Sequence, residues 1–364
     1  MNKNKIVILA NSDIGLYKFR RELIEVLIEQ YEVHMVLPYG EFVDDLARMG
    51  CVFHRVEFCS RGINPIQDLI LMKKYRSLLR EIRPCAVLTY TIKPNVYGGM
   101  VCAELNIPYI VNITGLGTAV ENAGVLSKIT TTLYKLALRK ASKIFFQNQS
   151  NLDFMKNKNI VKENYDLLPG SGVNLQEYRP LPYPKGAITN FVFIARVMKE
   201  KGIDQYLDAA EYIYRQYPNT RFHICGSCSE EYKSVLAQHK YSECVIYHGS
   251  VKDMVPIYEM SSCTVHPTYY PEGMSNVLLE SCASARPIIT TNRPGCMEIV
   301  DDEVNGYIVH EKNSADLIEK IETFLALSYE QKREMGLHGR EKIEREFDRH
   351  IVIEKYLKEL SNYG

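Results

Sequence analysis

The strongest constraint on the fold of this chain is an alternation that runs through it twice. Short apolar runs at Lys5 to Ala10, Val33 to Leu37, Cys51 to Phe58, Cys85 to Tyr90, Tyr109 to Ile113 and Lys143 to Gln147 are separated by stretches with helical periodicity. A second series follows at Phe191 to Ala195, Arg221 to Cys225, Cys244 to Tyr247, Cys263 to Pro267, Pro287 to Thr291 and Tyr307 to Val309. Strands that alternate with helices in this way assemble into doubly wound parallel sheets. The chain is therefore expected to be α/β, with two Rossmann-like domains at 1–178 and 188–346. Between them Arg179-Pro180-Leu181-Pro182-Tyr183-Pro184-Lys185-Gly186 reads as the linker. A length of 364 residues agrees, since it suits two cores of roughly 180 residues better than one. Ligands of such sheets bind outside the carboxyl ends of the strands, which makes a cleft between the two domains the expected site.

Charge and cysteine content narrow the function. Lys plus Arg and Asp plus Glu number 44 each, so no net field recruits nucleic acid, and any anion must be held by local clusters. The ten cysteines are scattered, and no basic, apolar leader precedes the first strand, which predicts a reducing cytosolic setting. No stretch approaches the ~20 consecutive apolar residues of a membrane span, so contact with lipid would be peripheral. The 25 tyrosines and absence of tryptophan fit a wet cleft and an ordinary amphipathic surface equally well.

Two charged pairs stand out. Arg196 closes the apolar run Phe191 to Ala195, and Lys201 precedes a helix opening near Gly202. Cations are disfavoured at the positive end of a helix, so two of them there make most sense with an anion between them, and a diphosphate fits. The alternative is a solvated loop cluster with Lys199 and Glu200. Further on, Pro271-Glu272-Gly273-Met274-Ser275-Asn276 leads into a second helix. Ser275 is the expected N-cap, and Glu280 lies roughly 7.5 Å further along the axis at ~1.5 Å per residue. Leu278, Cys282 and Ala285 form the expected buried stripe, with Glu280, Ser281 and Ser284 opposite. The amides of Gly273, Met274, Ser275 and Asn276 can hold phosphate oxygens, Glu272 sugar hydroxyls and Glu280 a ribose diol. The two acids also admit a reading as plain surface carboxylates.

The spacings Arg-x4-Lys and Glu-x7-Glu, in this order and context, resemble those of the retaining GT-B glycosyltransferases of family 4. The resemblance extends to Ala10-Asn11-Ser12-Asp13-Ile14-Gly15, to Ile113-Thr114-Gly115-Leu116-Gly117, and to Arg293-Pro294-Gly295-Cys296-Met297-Glu298 with Asn305-Gly306. Within the family the chain is most similar to bacterial enzymes that extend undecaprenyl-diphosphate-linked saccharides, including N-acetylgalactosaminyltransferases. The resemblance implies transfer of a hexose or N-acetylhexosamine from a UDP-sugar to such a lipid-diphosphate-linked saccharide, with retention, on the inner face of the cytoplasmic membrane. Arg196, Lys201 and Glu272 would carry the chemistry, and Gly15 would let backbone approach the donor phosphates. No Asp-x-Asp stands in a suitable place, so no metal cofactor is expected.

On the acceptor side the resemblance places Thr114, and Lys18, Arg20 and Lys93 are candidates for the acceptor diphosphate. Each of these cations reads equally as a surface charge. Cys225-Gly226-Ser227-Cys228 has redox spacing, but its family counterpart is a strand-to-loop turn. Gly115-Leu116-Gly117 lacks the third glycine of a dinucleotide loop. The family's first-domain histidine has no clear counterpart, since only His34 and His54 precede the linker, both in strands. A helix over Leu126 to Lys143 is expected to bury Leu126, Ile129, Leu133, Leu136 and Ala137 and to show Lys128, Lys135 and Arg139 to solvent or to anionic lipid. The terminal segment 347–364 is expected to return to the first domain. A UDP-sugar epimerase of the same shape and a catalytically silent UDP-sugar-binding protein remain as alternatives.

Overall fold

The computed structural model describes residues 3–58, 64–117, 124–238 and 243–363. In its first sheet, β1 (Lys5–Leu9), β2 (Glu32–Leu37), β3 (Val52–Arg55), β4 (Ala86–Tyr90), β5 (Tyr109–Ile113), β6 (Lys143–Phe146) and β7 (Tyr165–Leu167) lie in the order β3-β2-β1-β4-β5-β6-β7. The second holds β8 (Thr189–Ile194), β9 (Thr220–Cys225), β10 (Val245–Gly249), β11 (Cys263–His266), β12 (Ile288–Thr291) and β13 (Gly306–Val309) in the order β10-β9-β8-β11-β12-β13. All pairings are parallel. The strand order reverses direction between β1 and β4 and, equivalently, between β8 and β11. Those switch points leave a crevice at the carboxyl ends of the strands.

Strand side chains alternate between faces, and both faces are dry. Val7 and Leu9 enter one core cluster while Ile6 and Ile8 enter the other. In the second sheet Phe191 and Phe193 face one cluster, and Val192 and Ile194 face another. Each expected apolar run carries a strand. The addition is β7, three half-buried residues at a sheet edge that leave no apolar run to read.

The chain divides into two compact units, Met1–Gly172 with His350–Gly364 and Val173–Arg349. The segment expected as a linker, 179–187, therefore belongs to the second unit. Its carbonyls are captured by the fully buried Arg286, whose Nη1 donates to Leu181 O at 3.0 Å and Nη2 to Pro182 O at 2.9 Å. The same guanidinium donates through Nε to Tyr258 O at 2.6 Å. The terminal helix Arg349–Leu360 places Val352, Ile353, Tyr356 and Leu360 in the core beside β1. Asn112 Nδ2 on β5 donates to Tyr356 Oη at 2.8 Å, which ties the helix to the sheet centre.

The helix Val125–Leu138 is rotated from expectation. Thr130, Tyr134, Ala137 and Leu138 face inward, while Ile129 and Leu136 are 44% and 54% exposed. Close approach decides this, because Ala137 sits against Gly99 and its carbonyl accepts from Tyr109 Oη at 2.6 Å. Lys128, Lys135 and Arg139 are exposed as expected, so the outer face is both apolar and basic. The side chain of Leu126 lies outside the described residues.

Each sheet carries an imidazole pair at the same topological position. His34 Nδ1 on β2 is 2.9 Å from His54 Nε2 on β3, and His223 Nδ1 on β9 is 2.9 Å from His248 Nε2 on β10. Burial lowers the pKa of all four rings, and for His223 burial and the facing His248 lower it from 6.5 to about 4. At neutral pH these rings are uncharged in both the folded and unfolded chain. As pH falls below 6.5 the unfolded chain takes up protons first, so stability is lost through the window from about 6.5 to about 4. For His223 alone the shift corresponds to roughly 3 kcal/mol. Urea midpoints measured from pH 7.5 to 4.5 are expected to drop steeply below 6.5, and less steeply in His223→Gln; identical profiles would refute the assignment.

Candidate active site

The site is built at the β8–β11 switch point of the second unit. After β8, Ala195 N donates to Cys225 O at 3.0 Å and Val197 N to Ser227 O at 2.8 Å, which leaves the intervening Arg196 side chain exposed. One turn of 3-10 helix, Lys199–Lys201, then meets Gly202 at φ 77°, which opens the helix Ile203–Gln216. Loop 199–202 is stitched to the segment after β11, since Tyr269 N donates to Glu200 O at 2.9 Å. The two strand ends thereby converge.

Lys201 and Glu272 form an ion pair in which each side chain is only 12% and 14% exposed. The Lys201 ammonium lies 5.0 Å from the centroid of the Tyr270 ring, and the Arg196 guanidinium 5.8 Å from it. Arg196 and Lys201 thus share one aromatic face, and Glu272 joins them through its pair with Lys201. Burial pushes the Glu272 carboxyl up, but the His266 imidazole and the Lys201 ammonium outweigh it and bring its pKa to about 2.

The loop beyond Glu272 is fixed by Ser275 N donating to Gly295 O at 2.7 Å and by Gly295 N donating to Glu298 Oε2 at 2.7 Å. This explains the contribution of the Arg293 to Glu298 segment. Ser275 caps the helix Asn276–Ala283 through its backbone without a side-chain bond. Its buried Oγ, and Oδ1 of Asn276, have no partner among the described residues. Buried polar groups are nearly always paired, so these two atoms at a helix N-terminus are hydrogen-bonding capacity that the fold itself does not use. The Gly273 and Met274 amides belong to the same loop, with the Met274 side chain turned into the core.

Glu280 lies on that helix and accepts from Tyr258 Oη at 2.9 Å. Its expected neighbours differ, because Ser281 and Ser284 are buried. Ser281 Oγ donates to Val277 O at 2.7 Å, and Leu278, Cys282 and Ala285 are buried as expected.

In the first unit, Gly15 lies in the first turn of the helix Asp13–Gln30 rather than in a loop, with nothing of the chain near the place of a Cβ. Lys18 is exposed on the same helix, and half-buried Thr114 follows β5. Arg20 and Lys93 are not available as surface cations. Arg20 is buried over the Tyr90 ring at 5.2 Å, and Lys93 Nζ donates to Asp68 Oδ1 at 2.8 Å in a buried pair that also takes Tyr97 Oη. The structure thus removes both from the expected acceptor cluster. Among the described residues no helix is long and apolar enough to cross a membrane.

Two site residues escaped sequence reasoning, Tyr270 and the buried His266 that ends β11. The available signal for His266 was its place as the last residue of a switch-point strand.

Two doubly wound parallel sheets with charged loops at their switch points define the class as an α/β enzyme, and the comparisons give the family. Residues 187–342 match the model of "Glycosyl transferases group 1", and residues 5–148 match "Glycosyl transferase 4-like". The chain belongs to these GT-B glycosyltransferases and is a hexosyltransferase. It is 24% identical to the N,N'-diacetylbacillosaminyl-diphospho-undecaprenol alpha-1,3-N-acetylgalactosaminyltransferase of Campylobacter jejuni, over 97% of both chains. It is 25% identical to the capsular polysaccharide biosynthesis glycosyltransferase CapM of Staphylococcus aureus, over 98% of this chain and 96% of CapM. Its fold is similar to that of Anabaena HepE, solved with UDP-glucose, with a TM-score of 0.82 at 16% identity over 99% of this chain and all of that one (100%).

Proposed function

We propose that the enzyme transfers a hexose or N-acetylhexosamine from a UDP-sugar to an undecaprenyl-diphosphate-linked saccharide during assembly of a bacterial surface glycan, with retention at the anomeric carbon. The observation that carries the donor half is the buried Lys201–Glu272 pair beside the unpartnered Ser275 Oγ and Asn276 Oδ1. A diphosphate entering there meets Arg196, Lys201 and the amides that open the helix Asn276–Ala283. These groups stabilise the charge that grows on the leaving diphosphate, and Glu272 is left to hold the sugar. The departing diphosphate oxygen takes the acceptor's proton as the acceptor oxygen attacks on the same face. The fixed cations and amides replace a divalent ion at the diphosphate. Glu280 takes the ribose diol. The names of the Campylobacter and Staphylococcus relatives support the acceptor and the pathway, and the HepE complex supports UDP.

The test is a screen of UDP-sugars against short lipid-diphosphate acceptors by mass spectrometry, with and without EDTA. Sugar transfer that survives EDTA supports the reading. Interconversion of the donor without an acceptor would make the protein an epimerase, and UDP binding without turnover a silent binder. A strict need for magnesium would overturn the metal-free site.

The same proposal places the enzyme on the membrane surface through the outer face of Val125–Leu138. Exposed Ile129 and Leu136 beside Lys128, Lys135 and Arg139 suit an anionic interface. At ~1 kcal/mol per basic residue, changing all three to glutamine is expected to weaken binding to anionic vesicles by about 3 kcal/mol, roughly 100-fold. Vesicle flotation that is unchanged in this variant would return the helix to an ordinary solvated face.

A further inference from the structure

Exposed apolar side chains are ordinary when scattered and informative when they share one face. The two most exposed large apolar residues among the described ones, Ile66 and Leu69, are 72% and 66% exposed, and Ile70 beside them is 50% exposed. All three stand in the first two turns of the helix Pro65–Ile82. At ~100° per residue, Leu69 and Ile70 flank Ile66 within an arc of about 100°, opposite the buried stripe of Leu71, Tyr75, Leu79 and Ile82. The turn that carries them is firmly held. Asn64 caps it by accepting from Gln67 N at 3.2 Å, and Asp68 on its inner side accepts from Lys93 Nζ and Tyr97 Oη, both at 2.8 Å. The helix is thus anchored from its inner side alone, and the three apolar side chains contribute nothing to that anchorage.

The charges around the patch say what covers it. Further along the same outer face come exposed Lys73, Lys74 and Arg80. The helix Val125–Leu138 packs beside this one, since both lean on Pro94–Gly98 and Gly99–Leu105 and feed the same core cluster. Its exposed Lys128 and Lys135, with Arg139 at its end, add to those cations, and its own sequence holds no acid. The acids nearby are outnumbered: Glu104 is held by Arg76, Glu57 by Arg55, and Glu81 stands at the far end of the first helix. In a chain without net charge this is a segregated basic face that includes an apolar patch. The core of a protein–protein interface is poor in lysine, whereas an anionic bilayer takes apolar side chains and lysines together, the ammonium groups reaching the headgroups. We propose that the first two turns of the helix Pro65–Ile82 are the inserted element of a two-helix membrane face. Ile66, Leu69 and Ile70 enter the acyl boundary, while Lys73, Lys74, Arg80 and the cations of Val125–Leu138 meet anionic headgroups. This deepens the membrane reading given above and rests on it for the second helix: the cations steer the enzyme to the surface, and residues 66–70 keep it there.

The chain has no tryptophan, so Leu69→Trp places a single reporter in the patch without altering the core. With vesicles of roughly three parts phosphatidylethanolamine to one part phosphatidylglycerol, its emission is expected to shift to the blue and to be quenched by brominated acyl chains. Glu29→Trp is the control. Glu29 is exposed on the helix Asp13–Gln30, which packs on the opposite face of the first sheet, and emission from that position is expected to stay put. A reporter at residue 69 that remains in water while the protein is bound to vesicles overturns the proposal.

Flotation separates the two helices. The triple variant Ile66→Ser, Leu69→Ser, Ile70→Ser is expected to bind the same vesicles roughly 10²-fold to 10³-fold less tightly, and its residual binding to vanish in about 1 M salt. Wild type is expected to keep a salt-resistant fraction, because apolar burial is not screened, and so is the variant with glutamine at Lys128, Lys135 and Arg139. The serines replace exposed side chains, so the urea midpoint and transfer to a short water-soluble acceptor are expected to match wild type, while transfer to an acceptor held in vesicles falls with binding. Insertion at residue 69 without any sugar transfer supports the membrane face and removes only the acceptor proposed above. If the glutamine variant floats like wild type while residue 69 inserts, the basic role of Val125–Leu138 falls and the inserted turn stands. Wild-type flotation in the triple serine variant overturns the proposal; if that variant also breaks a wild-type dimer in sedimentation, the patch belongs to a second copy.

Discussion

Lys201→Ala is expected to lower kcat by roughly 10²-fold to 10³-fold, or about 3 to 4 kcal/mol, with Arg196→Ala falling in the same range. Both cations act where charge accumulates, on the leaving diphosphate, so their removal should appear in kcat more than in KM. The structure separates them by a second signature. Lys201 also neutralises Glu272, whose carboxyl is held at about 2 by His266 and Lys201 against the opposing effect of burial. A carboxyl held below its ordinary 4.5 contributes stability above that pH, and this contribution is lost as pH falls from 4.5 toward 2. Without Lys201 the carboxyl rises, and the acid limb of the rate profile should move up with it. Arg196 is exposed and makes no ion pair among the described residues, so Arg196→Ala should lower the rate at all pH values alike. Steady-state kinetics with the donor found by the screen decide the matter. Activity of both variants within about threefold of wild type would remove the diphosphate from this site.

The contrast between what was legible in the sequence and what was not follows from the range of the interactions. The central strands were visible because burial on both faces writes a continuous apolar run, whereas the edge strands β3 and β10 are exposed or half-buried and were read from short apolar stretches alone. Arg196 was visible because it ends an apolar strand, and Lys201 and Glu272 because they stand beside glycine or proline at a turn, where a charge needs a reason. The fate of Arg20 and Lys93 was not visible. Their partners, Tyr90 and Asp68, are remote in the chain, and a cation looks the same in sequence whether it is solvated or locked in a core. The helix Val125–Leu138 was misread for a related reason. Its inner face is chosen by the small contact of Ala137 with Gly99, and Tyr134 and Thr130 follow Ala137 inward although Ile129 and Leu136 are more apolar. His266 and Tyr270 acquire meaning only when the ends of β8 and β11 come together.

Gly202→Ala is expected to lower turnover by about 10²-fold and to destabilise the second unit by several kcal/mol. At φ 77° an alanine pays the left-handed penalty of roughly 1 to 2 kcal/mol before any contact is considered. Its Cβ would then sit 2.0 Å from the carbonyl oxygen of Pro267, a backbone atom that cannot swing aside. Relief requires the turn Lys199–Lys201 and the segment after β11 to separate by about 1 Å, and displacements of that size at a reacting centre cost on the order of 10²-fold in rate. The separation also breaks the bond from Tyr269 N to Glu200 O and carries Lys201 away from Glu272 and Tyr270. Because Lys201 is displaced rather than deleted, the variant should resemble Lys201→Ala in its shifted acid limb, and both should lose thermal stability, Gly202→Ala the more because it adds the backbone clash to the loss of the buried Lys201–Glu272 pair. Denaturation midpoints and pH–rate profiles measured side by side test this. If Gly202→Ala unfolds at the wild-type midpoint and turns over at more than a third of the wild-type rate, the two strand ends do not meet as closely as this glycine implies, and the convergence of Arg196 and Lys201 on Tyr270, with Glu272 paired to Lys201, loses its structural basis.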